Sequence, residues 1–199
     1  MKYDPDKHHR RAMRLREHDY SEEGAYFITF CVAGRECLLS DISGADVALT
    51  AAGEDVLIVW HALPSRFPNV VLDEIVVMPN HVHAILLVQN RSDSIRVGTP
   101  LAASRSADDQ MSSVRDPHAP TIGTQQAASL PAIMRAFKSI SAIAVNRVIG
   151  RAGVPVWQER YYDHVIRDER DLERIRQYIR DNPAIWAEDK ENPEYKPPT

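Results

Sequence analysis

The run Val76-Val77-Met78-Pro79-Asn80-His81-Val82-His83-Ala84-Ile85-Leu86-Leu87-Val88 leaves few choices of local structure. Two apolar stretches flank Pro79-Asn80, a turn-forming pair, so the sequence predicts two antiparallel strands joined tightly there. Side chains alternate faces along a strand, which puts His81 and His83 on one side, roughly 7 Å apart. Two imidazoles so placed can share a metal ion or grip one anion. The plainer alternative is a pair of strand-end histidines satisfied by hydrogen bonds, and spacing alone does not separate the two readings. The surrounding elements have to decide.

Residues 25–32 are rich in aromatic and β-branched side chains and predict a strand. Residues 45–62 have helical spacing, with Val47, Ala51, Val56, Val59 and Trp60 available for a buried stripe and Gly53 as a local weak point. Residues 70–77 and 81–89 are the two strands of the hairpin. Residues 91–128 are dominated by Ser, Asp, Thr, Pro, Gly and Gln, and predict a flexible insertion. Ser129 and Pro131 then open a long helix over 130–149, with Ile133, Phe137, Ile140, Ala144 and Val148 as its apolar stripe. Residues 154–166 have strand character, and Asp168 caps a last helix over 169–181 in which Leu172, Ile175 and Ile179 share a face. Strand, helix, strand, strand, helix, strand is the α+β, ferredoxin-like βαββαβ sandwich. An additional C-terminal helix is left free to cover the open face of the sheet.

With 199 residues, 44% hydrophobic and 26% charged, the chain fits one globular domain over 24–187. Cys31 and Cys37 are too few for a disulfide framework or a four-ligand zinc site, which predicts reduced thiols. No apolar stretch approaches a membrane span and no signal-peptide h-region is visible, so the expectation is a cytoplasmic protein without a membrane partner. The net charge of −4 argues against indiscriminate nucleic-acid binding, but it is unevenly spread. Residues 1–23 form a basic arm with Arg10, Arg11 and Arg14, whereas 188–199 is an acidic, proline-containing tail. The arm can contact phosphates or can be a solvated terminus.

If the histidines face the last helix, that helix brings Tyr178 and Asn182, four residues apart, over them. Two imidazoles and an amide oxygen supply three ligands for a divalent ion. Without thiolates, Mg²⁺ or Mn²⁺ suits the set better than structural zinc. Such an ion lets a phenol attack a phosphate, a covalent-catalysis design. Four blocks then carry a resemblance in chain order: Met78-Pro79-Asn80-His81-Val82-His83, Arg135-Ala136-Phe137-Lys138-Ser139, residues 156–164 (VWQERYYDH) and Tyr178-Ile179-Arg180-Asp181-Asn182-Pro183. Together they resemble the single-tyrosine transposases of the HUH nuclease superfamily, and within it the REP-associated tyrosine transposases.

The resemblance implies metal-assisted cleavage of single-stranded DNA near a hairpin, through a 5′-phosphotyrosine link and a free 3′-hydroxyl, followed by rejoining. It implies His81 and His83 as the HUH pair, Tyr178 as nucleophile and Asn182 as the third metal ligand, where related members carry Gln. Arg135 and Lys138, with the basic arm, are candidate phosphate contacts. Tyr161 and Tyr162 are expected to pack or to stack bases, and His164 to be a surface residue. The insertion at 91–128 is longer than the family pattern. A hairpin-DNA binder without transposition activity is the alternative, and a monomer and a homodimer are equally compatible with the sequence. A histidine-triad hydrolase would need a third histidine where Ile85 stands.

Overall fold

A computed structural model of the protein describes residues 23–89 and 128–196. The basic arm with Arg10, Arg11 and Arg14, and residues 91–127 of the insertion, lie outside the described residues.

The described chain runs β1 (Gly24–Cys31), β2 (Ser40–Ser43), β3 (Asp46–Leu49), α1 (Ala51–His61), α2 (Leu63–Arg66), β4 (Val70–Val77), β5 (His81–Val88), α3 (Leu130–Val148), β6 (Tyr162–Ile166) and α4 (Glu169–Asp181), then a 3₁₀ turn at Pro183–Glu188. The four main strands form one antiparallel sheet in the order β4-β5-β1-β6. With α1 and α3 as the crossover helices, that is the expected ferredoxin-like sandwich, and α4 is the additional helix. No described helix is long and apolar enough to cross a membrane.

Strand alternation sorts the side chains into two cores. Tyr26, Ile28, Phe30, Val82, Ala84 and Leu86 face α1 and α3, where Trp60, Ile133 and Phe137 complete the larger core. Phe137 is its hub, with ring centroids 4.9 Å from Phe30 and 5.5 Å from Trp60. On the other face, Phe27, Ile85 and Ile166 meet Ile175 and Ile179 of α4. His81 and His83 belong to this second face. The sheet is therefore covered on both sides, which is why β5 is buried along nearly its whole length.

Three expectations need correction. The helix expected over 45–62 begins only at Ala51, because residues 46–49 form β3, paired with β2 across a turn in which Gly44 takes φ +62°. Thr50 enforces the start: its hydroxyl oxygen accepts from Gly53 N–H at 3.2 Å and donates back to the Leu38 carbonyl at 2.7 Å. Val47 is thus a strand residue. Second, the strand expected over 154–166 is confined to Tyr162–Ile166, with a single bridge from Trp157 to Val32 before it. The Lys138 ammonium donates to the carbonyls of Gln158 and Glu159 at 2.6 and 2.8 Å, and Pro155 has no N–H to offer, so ladder partners are missing there. Third, the buried stripe of α3 is Leu130, Ile133, Met134, Phe137, Ser141 and Val145. Ile140 and Val148 lie off it, 36% and 46% exposed. Polar Ser141 is buried because its hydroxyl donates to the Phe137 carbonyl and accepts from Trp157 Nε1.

Gly53 is a packing requirement rather than a weak point. A Cβ there would stand 2.0 Å from the Leu39 carbonyl oxygen. Gly53→Ala should therefore destabilise the fold by about 1–3 kcal/mol despite alanine's better helix propensity. A urea midpoint equal to or above wild type would refute the close approach.

Candidate functional site

The turn Met78–His81 is held from outside the hairpin. Asn80 C=O accepts from Val32 N–H and Pro79 C=O from Leu39 N–H, at 2.8 and 2.9 Å. The Asn80 side chain is buried and fully engaged. Its Nδ2 donates to the Glu191 and Arg35 carbonyls at 2.7 and 3.2 Å, which fixes the amide's orientation and turns Oδ1 toward His81 Nδ1, 2.9 Å away. An amide oxygen only accepts, so Nδ1 carries the proton and Nε2 of His81 presents a lone pair. His83 is held likewise, with Nδ1 2.8 Å from Thr29 Oγ1. The two ring centroids lie 4.6 Å apart, with the ring planes at 69°.

Helix α4 supplies the rest. Asp168 Oδ1 caps it by accepting from Asp171 N–H at 2.8 Å. Arg176 grips Asp73 through Nε–Oδ1 and Nη2–Oδ2 at 3.0 and 2.6 Å, and Arg180 grips Glu74 at 2.7 Å. A β-bulge between Leu72 and Ile75 lets these consecutive acids both reach the helix. Tyr178 lies between the two arginines in sequence and on the opposite flank of the helix. Its hydroxyl is 3.4 Å from His83 Nε2, and its ring meets Phe27 edge-on at 5.9 Å. Asn182, the last turn's cap, is buried, and neither its Oδ1 nor His81 Nε2 has a hydrogen-bond partner among the described residues.

Burial pushes His81 down to about 4, although the Asp189 carboxylate and the Asn182 amide oppose it. His83 is held well below the usual histidine range, by burial first and by His81 second. Both imidazoles are therefore neutral at pH 7, the form that ligates metal. Burial, with a smaller push from Asp189, raises the Tyr178 phenol, against a lowering influence of Asn182. The tyrosine is protonated at neutral pH.

The sequence-predicted set of Tyr178, His81, His83 and Asn182 is thus brought together. Two neutral ring nitrogens and an amide oxygen, two of these atoms buried without hydrogen-bond partners among the described residues, fit a divalent cation that takes its remaining ligands from water or phosphate oxygens. Among the described residues no three His, Cys, Asp or Glu side chains converge as a ready-made metal cluster. Arg135 is exposed on the outer side of α3, while Lys138 spends its ammonium on the two carbonyls already named. Tyr161 packs in the larger core, 5.6 Å from Phe30, but Tyr162 opens onto the histidine face. His164 pairs with Asp171 at 2.9 Å.

Sequence reasoning missed Asn80, Thr29 and Asp189. Asp189 Oδ2 stands 3.7 Å from His81 Nε2, on a segment pinned by Arg35, which pairs with Glu191 at 3.1 Å. Asn80 sits inside the histidine motif and could have been found there; the other two needed strand register and the course of the tail. The site opens into a cleft of about 460 Å³ that also includes Cys31 and Arg160.

No protein-family model matches the chain. An uncharacterized protein of Haemophilus influenzae is 36% identical over 191 residues, 95% of this chain and 96% of that protein. Among solved structures, a REP-associated tyrosine transposase bound to a REP hairpin matches with a TM-score of 0.50 and 18% identity, over 85% of this chain and 72% of that one. A Deinococcus radiodurans protein described as a candidate transposase reaches a TM-score of 0.42 at 16% identity, over 83% and 94% of the respective chains, too low to carry an argument. This chain belongs to one family with the Haemophilus influenzae protein, and its fold is that of a REP-associated tyrosine transposase.

Proposed function

We propose that this protein is a metal-dependent HUH single-tyrosine transposase that cleaves and rejoins single-stranded DNA beside a hairpin. The observation that carries the reading is Tyr178 Oη on a clamped helix, 3.4 Å from one of two neutral histidines, with Asn182 Oδ1 buried and without a hydrogen-bond partner among the described residues. The REP-associated transposase of the same fold was solved on a REP hairpin, which suggests hairpin DNA as the substrate class.

His81, His83 and Asn182 would hold Mg²⁺ or Mn²⁺. When bound, the cation supplies positive charge that polarises the scissile phosphate and favours the phenolate. The chain itself does the positioning. Phe27 and His83 fix the tyrosine ring, and the arginine clamps fix the helix that carries it. Tyr178 Oη forms a bond to phosphorus as the bond from phosphorus to the 3′ oxygen breaks; the proton lost by the phenol balances the one gained by that oxygen. Because the phosphotyrosine retains the phosphodiester's bond energy, attack by a 3′-hydroxyl rejoins strands without ATP. Arg135 and the basic arm would contribute phosphate contacts, an affinity that falls steeply with salt.

The test is labelled single-stranded hairpin DNA from the gene's flanks, incubated with Mg²⁺, Mn²⁺ or chelator. A covalent protein–DNA adduct in metal, and none in chelator, is expected. Tight binding with no adduct in either metal would leave only the hairpin binder.

Asn80 gives a second test of the metal set. Asn80→Ala removes the acceptor that orients His81 and should weaken Mn²⁺ binding by about 10- to 100-fold, measured by calorimetry. Asn80→Asp keeps an acceptor and should lose less. Equal Mn²⁺ affinity in wild type and Asn80→Ala would argue against His81 as a ligand.

A further inference from the structure

The sheet face that bears the histidines continues onto β6. Thr29 is paired with His83 on one side and with Tyr162 on the other, so the three side chains stand in a row across β5, β1 and β6. Tyr162, the first residue of the edge strand β6, is 46% exposed on this face. Its ring meets Phe27 edge-on at 6.2 Å and 69°, and the same Phe27 is stacked on His83 at 5.4 Å and edge-on to Tyr178. Phe27 is therefore the buried hub around which the imidazole and two exposed phenols are arranged. Arg160 lines the same cleft, exposed, and has no ion-pair partner among the described residues. Its backbone is not free to wander, since Lys138 holds the two preceding carbonyls.

An exposed aromatic ring and an unpaired guanidinium beside a candidate nucleophile match the way single strands are held: bases stack on rings and arginines meet phosphates. We propose that Tyr162 and Arg160 form a nucleotide subsite, in which the base next to the cleaved phosphate stacks on Tyr162 and Arg160 pairs with that nucleotide's phosphate. This rests on the DNA-cleavage reading above and adds the residues that hold the strand in line for Tyr178. Stacking of this kind tolerates any base, so the subsite positions the strand without reading its sequence.

The experiment uses the full chain carrying Tyr178→Phe, without divalent cation, and hairpin oligonucleotides with single-stranded flanks. 2-Aminopurine is placed at each flanking position in turn. One position, adjoining the cleavage point mapped from the wild-type adduct, should be quenched on binding. Quenching should persist in Tyr162→Phe and vanish in Tyr162→Leu, with affinity down roughly tenfold in the latter. An abasic nucleotide at that position should weaken the parent by the same factor and leave Tyr162→Leu unaffected, an outcome that misfolding cannot mimic. Arg160→Gln should keep the quench and lower the salt slope of binding by about one. A parent that binds hairpin DNA, with Tyr162→Leu unchanged in quench and affinity, overturns the subsite alone. A parent that binds no hairpin DNA overturns the functional reading and the subsite together.

Discussion

Tyr178→Phe should abolish the covalent adduct while leaving hairpin binding within about twofold of wild type. Removing the nucleophile of a covalent mechanism lowers the rate by several orders of magnitude, because no neighbouring group can substitute for the missing bond. The ring itself is retained, so its edge contacts with Phe27 at 5.9 Å and His83 at 5.3 Å survive. The lost hydroxyl's contact with His83 Nε2 is long, 3.4 Å, and half-exposed Tyr178 can be re-solvated there, so the stability change should stay under about 1 kcal/mol. The variant thus separates chemistry from folding. Denaturing gels after incubation with Mn²⁺ read the adduct, and fluorescence anisotropy reads binding. An adduct that persists would move the chemistry to Tyr162, which opens onto the same face, or to Tyr161, which lines the same cleft while packing against Phe30. Equal loss of binding and adduct would instead make Tyr178 part of the DNA-binding surface.

Much of this fold was legible because its signals are local. Alternation in β5 separates Val82, Ala84 and Leu86 from His81, His83 and Ile85, and the two cores follow that division. Tyr178 and Asn182 were legible by helical spacing once α4 was placed over the histidines. The failures have a common cause, competition between local pattern and a distant backbone partner. Residues 46–49 fit a helix by apolar spacing, but the Ser40–Ser43 strand claims them, and Thr50 with Gly53 starts the helix against the Leu39 carbonyl. The 154–161 segment looks like a strand, yet a lysine on α3 takes two of its carbonyls. The Arg176–Asp73 and Arg180–Glu74 clamps join residues more than a hundred positions apart through a bulge that no short-range pattern announces. Tyr162 could be assigned to the histidine face only when register put Thr29 between it and His83.

The metal-free protein should begin to lose stability at its histidines as it is acidified, before its carboxylates contribute. His81 is depressed from 6.5 to about 4 and His83 is also well below 6.5, in both cases mainly by burial. A base whose folded pKa lies below its unfolded value binds more protons in the unfolded chain. The associated stability is therefore intact above about pH 6.5 and is lost progressively below it, down to about 4 for His81. Asp73 is lowered first by its hydrogen bond to Arg176, and Asp171 by Arg174 and then His164. Their contributions are intact above the unfolded carboxylate value of about 3.9 and fade only below it. Between pH 6.5 and 4 the fall in urea midpoint should thus trace the imidazoles, and a His81→Gln/His83→Gln variant should be nearly flat there while keeping the loss below 4. Protons compete with metal for the same ring nitrogens, so Mn²⁺ binding should fade as the solution is acidified and be lost at every pH in the double variant. Cleavage should disappear with it. A wild-type midpoint that stays level from pH 6.5 to 4 would mean that the histidines are solvated rather than buried.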